Sequence, residues 1–205
     1  MSAYSDKSDA QLAEFIIQGN HAAFAELVAR HTDMFFALAL RTLQHQSDAE
    51  DVVQTAFIKF WQRPQLWCAD KAKFTTWFYR VVINGCHDHQ RKYRREELGT
   101  PESFENVMPP SPSEESRAFD YQEQRWRQMC LESGIRRLPS QQRDALNLVV
   151  YSGLPQKQAA EVLGISLKAL ESLLVRAKKN LHKHMKTLEN KVCVVKPTSE
   201  KLNVQ

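Results

Sequence analysis

A chain of 205 residues, 42% hydrophobic and 25% charged, has the composition of a soluble globular protein and room for one medium domain or two small ones. No apolar run approaches the roughly 20 residues that span a bilayer, and the amino terminus MSAYSDKSDAQ lacks a basic-then-apolar leader, so a cytoplasmic protein without membrane insertion is expected. The net charge of +4 is uneven: residues 96–120 hold seven acids and one base, a charge of −6, which leaves +10 on the remainder, the balance of a nucleic-acid binder with an acidic middle unless the charge serves only solubility.

Scarce glycine (six residues) and long stretches of helical period predict an all-α fold. Ser8 and Asp9 can cap a first helix carrying Leu12, Phe15 and Ile16. Gly19-Asn20 breaks it, and a second helix follows over 21–44 with Phe24, Leu27, Val28, Phe35, Leu38 and Leu43. Ser47 is the expected cap of a third helix over 48–62, with Glu50 completing a capping box. Its apolar stripe is Val52, Val53, Ala56, Phe57, Phe60 and Trp61, and Pro64 ends it. A loop over 65–73 leads to a fourth helix over 74–95.

The stretch PESFENVMPPSPSEES holds four of the eight prolines among serines and acids, which is linker composition. Helices resume near Phe119, and Leu138-Pro139-Ser140 introduces another from Gln141. After Gly153 and Pro155 comes PQKQAAEVLGISLKALESLLVRAKKNLH. Here Ala160 lets two helices approach, Gly164 permits a left-handed turn, and Leu170 locks the second helix onto the first. This is the spacing of a DNA-binding helix-turn-helix, although a core helical hairpin can share it. The tail beyond about Asn190 has no helical period and is expected to fray. Two small helical domains, 1–95 and 120–187, are therefore expected, joined by a flexible acidic linker over 96–119 and followed by a tail over 188–205.

The third helix presents Asp48, Asp51, Gln54 and Thr55 opposite its apolar side. Acids near a helix start also complement the macrodipole, which accounts for Asp48 and Glu50, partly for Asp51, and not for Gln54. The fourth helix, FTTWFYRVVINGCHDHQRKYRR, joins an aromatic run to a basic end with Arg91, Lys92, Arg94 and Arg95. Aromatic faces stack on bases and cations neutralise phosphates, so this suits a surface that grips a single strand. Equally, Trp77 and Phe78 can be core and the basic run a solvated helix end; a helix has two faces, so both can hold.

DAEDVVQTAFIKFW, then FTTWFYRVVINGCHDHQRK, then LPSQQRDALNLVVYSGLPQKQAAEVLGIS resemble bacterial RNA polymerase sigma factors, specifically the small two-domain extracytoplasmic-function kind. The resemblance covers about residues 8–95 and 120–187. It implies a region-two domain over 1–95 that binds core polymerase and reads the minus-ten element, and a region-four domain over 120–187 that reads the minus-thirty-five element. It implies docking of the acidic helix on the β′ clamp helices, with Asp48, Asp51, Gln54 and Thr55 as candidates; Thr55 stands where glutamate is common. By position, Lys73, Phe74, Thr75, Trp77, Arg80, Asn84, Arg91 and Lys92 are the candidates for minus-ten DNA. Ser166, Lys168, Glu171, Ser172, Val175, Arg176 and Lys179 are those for minus-thirty-five DNA, with Ser166 capping the recognition helix. Glu171 and Leu173 depart from a commonly basic pattern. A glutamate can accept from cytosine N4, and Arg176 can pair with guanine, which implies a related but different promoter sequence. The linker's acidity either matches a basic polymerase channel or marks a solvated tether.

The partners implied are core polymerase (β′ clamp helices and β flap), promoter DNA and a membrane-linked anti-sigma factor. No cofactor, small-molecule substrate or catalytic residue is expected. Cys86-His87-Asp88-His89 looks ligand-rich, but helix neighbours diverge by about 100° each, so no metal site is expected. Cys68, Cys86, Cys130 and Cys193 form no CxxC pair, which fits a reducing compartment. The competing reading is a helix-turn-helix regulator that acts without joining polymerase.

Overall fold

The structure is a computed structural model and describes residues 3–97 and 119–195. It is all-α: helices α1 (Asp9–Ile17), α2 (His21–Leu43), α3 (Gln46–Gln62), α4 (Phe74–Glu97), α5 (Phe119–Arg136), α6 (Ser140–Leu146), α7 (Gln156–Leu163) and α8 (Leu167–Val195). A 3₁₀ turn covers Pro64–Leu66, and α6 runs into a π-helical turn, Asn147–Tyr151. Most of the expected linker (98–118) and the end of the tail (196–205) lie outside the described residues.

α1 begins on a reciprocal capping box between Ser8 and Gln11 (3.3 and 3.0 Å). Its carboxylate Asp9 fastens it to α2, accepting from Arg30 Nη1 and facing His31 Nε2, both at 3.0 Å. Burial alone would raise the Asp9 pKa; the bonds to His31 and Arg30 outweigh it and hold the carboxyl below its ordinary value of 3.8. The linkage sign follows: a depressed carboxyl contributes stability that is present above pH 3.8 and lost as pH falls through the folded-state pKa. Asp9→Asn is accordingly expected to cost about 1 kcal/mol at pH 7, since the pair is partly solvated, and almost nothing near pH 2. Urea titrations of both proteins at the two pH values check this.

Gln44 takes a left-handed conformation (φ 63°) and ends α2 abruptly. Only Gln44 and His45 connect the two helices, so α3 starts at Gln46, two residues earlier than expected. Its cap is His45, whose Nδ1 accepts from the Asp48 amide, rather than Ser47. Glu50 does not close a capping box; it accepts from Gln46 Nε2 at 2.9 Å.

The core of α2–α4 is aromatic. Phe35 and Phe57 each lie 4.6 Å from Phe78, and Phe74 stacks on Phe78 at 5.1 Å. Phe35 and Phe78 are wholly buried. α3 and α4 meet closely at Gly85, where a Cβ would stand 3.0 Å from Val52 Cγ1; only glycine permits that approach without repacking.

Two compact units emerge, Met1–Glu102 with Asp144–Glu171, and Ser103–Arg143 with Ser172–Gln205. They do not coincide with the division read from the sequence. In the first unit, residues 144–163 pack on α2 and α4. Asp144 bonds His87, Asn147 Nδ2 reaches Thr42 Oγ1 at 3.4 Å, and Arg41 lies 5.2 Å over the Tyr151 ring. In the second unit, Cys130 and Ile135 of α5 are buried, and Asn180 donates to Gln142 at 2.9 Å. α8 continues to Val195 instead of fraying near 190. No glycine or proline interrupts the sequence there until Pro197.

Candidate nucleic-acid and partner interfaces

α3 buries Ala49, Val52, Val53, Ala56, Phe57 and Phe60 and turns Asp51, Gln54 and Thr55 outward, all exposed. Asp48 is different. It is half-buried and faces His45 (3.3 Å) and His89 of α4 (3.6 Å), so it ties the start of α3 to α4. The outward face includes a residue absent from the sequence-based set: Ile58, 46% exposed despite being apolar. It stands seven residues after Asp51 and four after Gln54, on the same side of the helix, and that spacing was readable. Ile58, Glu50 and Gln54 line a groove of about 540 Å³ between α2 and α3, floored by Phe24, Val28, Phe36 and Phe57. An apolar groove edged by the Glu50 carboxylate fits a partner helix with apolar and basic side chains.

The loop before α4 is pinned by Trp67, another residue missing from that set. Its indole Nε1 donates to the Ala72 carbonyl at 2.9 Å, and its ring meets Phe74 edge-on at 5.4 Å. Lys73, just before α4, and Trp77, Arg80, Asn84 and Arg91 on it recur at helical spacing. Lys73, Arg80, Asn84, Arg91 and Lys92 are exposed; Thr75 and Trp77 are half-buried. Trp77 contacts Phe60, Phe74 and Phe78 at 5.7–6.0 Å, so one residue serves both core and surface. Phe74 corrects the sequence reading. It is 2% exposed, enclosed by His31, Phe60, Trp67, Trp77 and Phe78, and its ring cannot reach a base. It begins α4, where only its backbone lies near the loop.

The Cys86–His89 run disperses over separate partners. Cys86 is buried, and burial pushes its thiol up to about 12. His87 Nε2 donates to Asp144 Oδ2 at 2.7 Å, and that bond raises the imidazole pKa against the opposing effect of burial. Asp88 pairs with Arg91, and His89 faces Asp48. Among the described residues no three His, Cys, Asp or Glu side chains converge on a metal-sized site.

Ala160 is buried, Gly164 takes φ 67°, and Leu170 is fully buried, so the three positions that carry the helix-turn-helix pattern do what it requires. The Ile165 and Gly164 amides both return to the Ala160 carbonyl, a Schellman closure of α7. Nothing lies within 4 Å of a Cβ at Gly164, so the backbone conformation, not space, calls for glycine. Ser166 Oγ accepts from the Ala169 amide at 3.2 Å, the cap expected of it. Along α8, Lys168, Glu171, Ser172, Val175, Arg176 and Lys179 are all exposed, on one face at i, i+3, i+4, i+7, i+8 and i+11. Val175 is 68% exposed. Leu170, Leu173 and Ala177 are buried on the opposite side. Leu173 therefore stands where a reading residue would be turned away from DNA.

Family models match two parts of the chain: Sigma-70 region 2 over residues 27–96, and Sigma-70, region 4 over 128–181. The RNA polymerase sigma factor CnrH of Cupriavidus metallidurans is 31% identical over 185 residues, 86% of this chain and 93% of CnrH. The ECF RNA polymerase sigma factor SigM of Mycobacterium tuberculosis is 27% identical over 176 residues, 86% of this chain and 84% of SigM. Among solved structures, CnrH in complex with the cytosolic domain of CnrY matches at TM-score 0.62 and 27% identity, covering 87% of this chain and 97% of that one. By sequence and fold the chain belongs to the extracytoplasmic-function group of the sigma-70 family, an alternative sigma factor that directs core RNA polymerase to specific promoters.

Proposed function

We propose that the chain engages polymerase and promoter through three surfaces. Asp51, Gln54 and Thr55, joined by Ile58, dock on the β′ clamp helices, and Asp48 positions α3 for them. Lys73, Thr75, Trp77, Arg80, Asn84, Arg91 and Lys92 contact and help melt the minus-ten element. Lys168, Glu171, Ser172, Val175, Arg176 and Lys179 read the minus-thirty-five element, with the β flap holding region four. The functional division is 1–95 and 120–187 across an acidic linker, and the chemistry of RNA synthesis belongs to the polymerase. The observation that carries this reading is the pairing of an outward acidic face on α3 with an outward, polar, non-core face on α8. A regulator that reads DNA alone has no use for the first. Mapping transcript starts after overproduction tests it: new starts sharing upstream elements are expected, and their absence would sink it.

A helical anti-sigma factor that covers the α2–α3 groove is the expected antagonist, by likeness to CnrH, whose solved complex contains the cytosolic domain of CnrY. No described helix is long and apolar enough to cross a membrane, so attachment to a membrane would come through that partner.

Glu171 is expected to read a base directly. Selection of binding sites from a randomised library, presented to holoenzyme, should show a preference in the minus-thirty-five element that Glu171→Ala relaxes, by about 1–3 kcal/mol of discrimination at one position. An unchanged selected sequence would assign that position to other side chains.

A further inference from the structure

α8 outlasts the match to region 4. That match ends at residue 181, and the helix runs on to Val195. The added turns begin on firm packing. α5 passes so close that a Cβ on Gly134 would stand 3.0 Å from His184 Cδ2 and 3.1 Å from Leu181 Cδ2, and Asn180 donates to Gln142. Leu181, His184, Met185 and Leu188 are half-buried, which fixes the inner side of this stretch, while Lys179, Lys183 and Lys186 are exposed. Ser172, Val175, Arg176, Lys179, Lys183 and Lys186 recur at i, i+3, i+4, i+7, i+11 and i+14, which keeps them on one side of a helix with 3.6 residues per turn. The cationic side of the added turns is therefore a straight continuation of the reading face.

Nothing local calls for these charges. From Leu167 to Leu188 the chain has six Lys and Arg against one acid, Glu171. Cations complement the macrodipole only in the last turn, and Lys186 stands nine residues before the end of α8. Among the described residues, none of Lys179, Lys183 and Lys186 is paired with a carboxylate. Their distance along the helix matters. A helix-turn-helix reads bases with the first residues of its second helix. The major groove is about 12 Å wide, a span that eight residues cover at ~1.5 Å each. Counted from Leu167, that span ends near Val175. The turns that follow on the same side reach the edge of the groove, where the duplex presents phosphates rather than base edges.

We infer that Lys183 and Lys186, in line with Lys179, form a second and sequence-independent DNA contact, gripping phosphates that flank the minus-thirty-five element. The inference rests on the proposed reading of that element by α8. It adds affinity to promoter binding without adding base preference.

The test uses holoenzyme carrying the full chain, bound to a linear promoter fragment recovered from the randomised library, at a temperature that keeps the strands closed. Each phosphate contact contributes ~0.9 to the slope of log affinity against log salt, so Lys183→Gln with Lys186→Gln should lower that slope by about 1.8. Between about 50 and 200 mM KCl the parent should then lose about twelvefold more affinity than the variant. Lys183→Arg with Lys186→Arg should keep the parental slope, and the selected sequence should be the same for all three proteins. Both positions are exposed and glutamine suits a helix as lysine does, so the fold should hold; far-UV circular dichroism verifies this. A benzophenone side chain at position 183 should crosslink to duplex beside the element. An unchanged slope in the glutamine variant, an altered selected sequence, or crosslinking to a polymerase subunit instead of DNA would each overturn the inference. Failure of the reading face would instead appear as Glu171→Ala and Arg176→Ala both leaving the selected sequence unchanged, with the slope and the crosslink behaving as stated.

Discussion

Reversing the outward face of α3 with Asp51→Arg and Gln54→Arg together is expected to weaken binding to core polymerase by about a hundredfold or more. That corresponds to roughly 2.7 kcal/mol, within the range of interface hot spots. The expectation depends on where α3 starts. With Gln46 as its first residue, Asp51 is the sixth, beyond the turn where a carboxylate helps the macrodipole. Its charge is therefore not needed by the helix. Both side chains are exposed, so unfolding free energy should move by no more than about 0.5 kcal/mol. Fluorescence titration of labelled protein with core polymerase measures the affinity, and urea unfolding measures the stability. Affinity within threefold of the parent would place the docking surface elsewhere. Asp48→Asn should separate from this pair. It frees His45 and His89, so it should lower stability more than it lowers affinity.

Phe78→Ala is expected to cost about 3–5 kcal/mol, a large part of the 5–15 kcal/mol that holds a typical domain. Phe78 is wholly buried and touches Phe35, Phe57, Phe74 and Trp77, which reach it from three helices, so the surroundings cannot collapse into the space. Urea unfolding monitored by circular dichroism gives the number. Trp77→Ala at the adjacent position provides the contrast. Its ring is half-buried at the edge of the same cluster, so its stability loss should be smaller. Its loss in opening the minus-ten element, read by permanganate footprinting of holoenzyme on a supercoiled promoter, should be larger than stability explains. If Phe78→Ala costs under about 1 kcal/mol, the aromatic cluster is not the centre of this core.

The correction at Phe74 shows why the promoter-reading side of α4 was only partly legible. Lys73, Phe74 and Thr75 are neighbours in sequence and all match the family's reading segment. Successive helical residues point about 100° apart, so at most some of them share a face. Which one turns inward depends on where α2 and α3 pack, and His31, Phe60 and Trp67 enclose Phe74 from outside α4. On α8 the same problem was easier. The apolar positions Leu170, Leu173 and Ala177 mark the buried side by themselves, and the reading face follows as its complement.

Local chemistry determined what the sequence could reveal unaided: helix periods, the Ser8 and Ser166 caps, the glycine turn at Gly164, and the order of acidic, aromatic-basic and helix-turn-helix segments. Each depends on side chains within a few residues of one another. The start of α3 escaped because a left-handed Gln44, a rare conformation for that residue, shortened the turn. Only the tertiary structure decided the fates of Arg80, His87 and Asp48. By sequence, Arg80 and Asp48 are candidates for outward faces of their own helices, and His87 is one of a run of diverging neighbours. Arg80 finds carbonyls 81 residues or more away, His87 a buried carboxylate 57 away, and Asp48 a histidine on another helix. Long polar side chains take whichever partner packing brings within reach. No pattern of period or spacing in one segment encodes what another segment will place there.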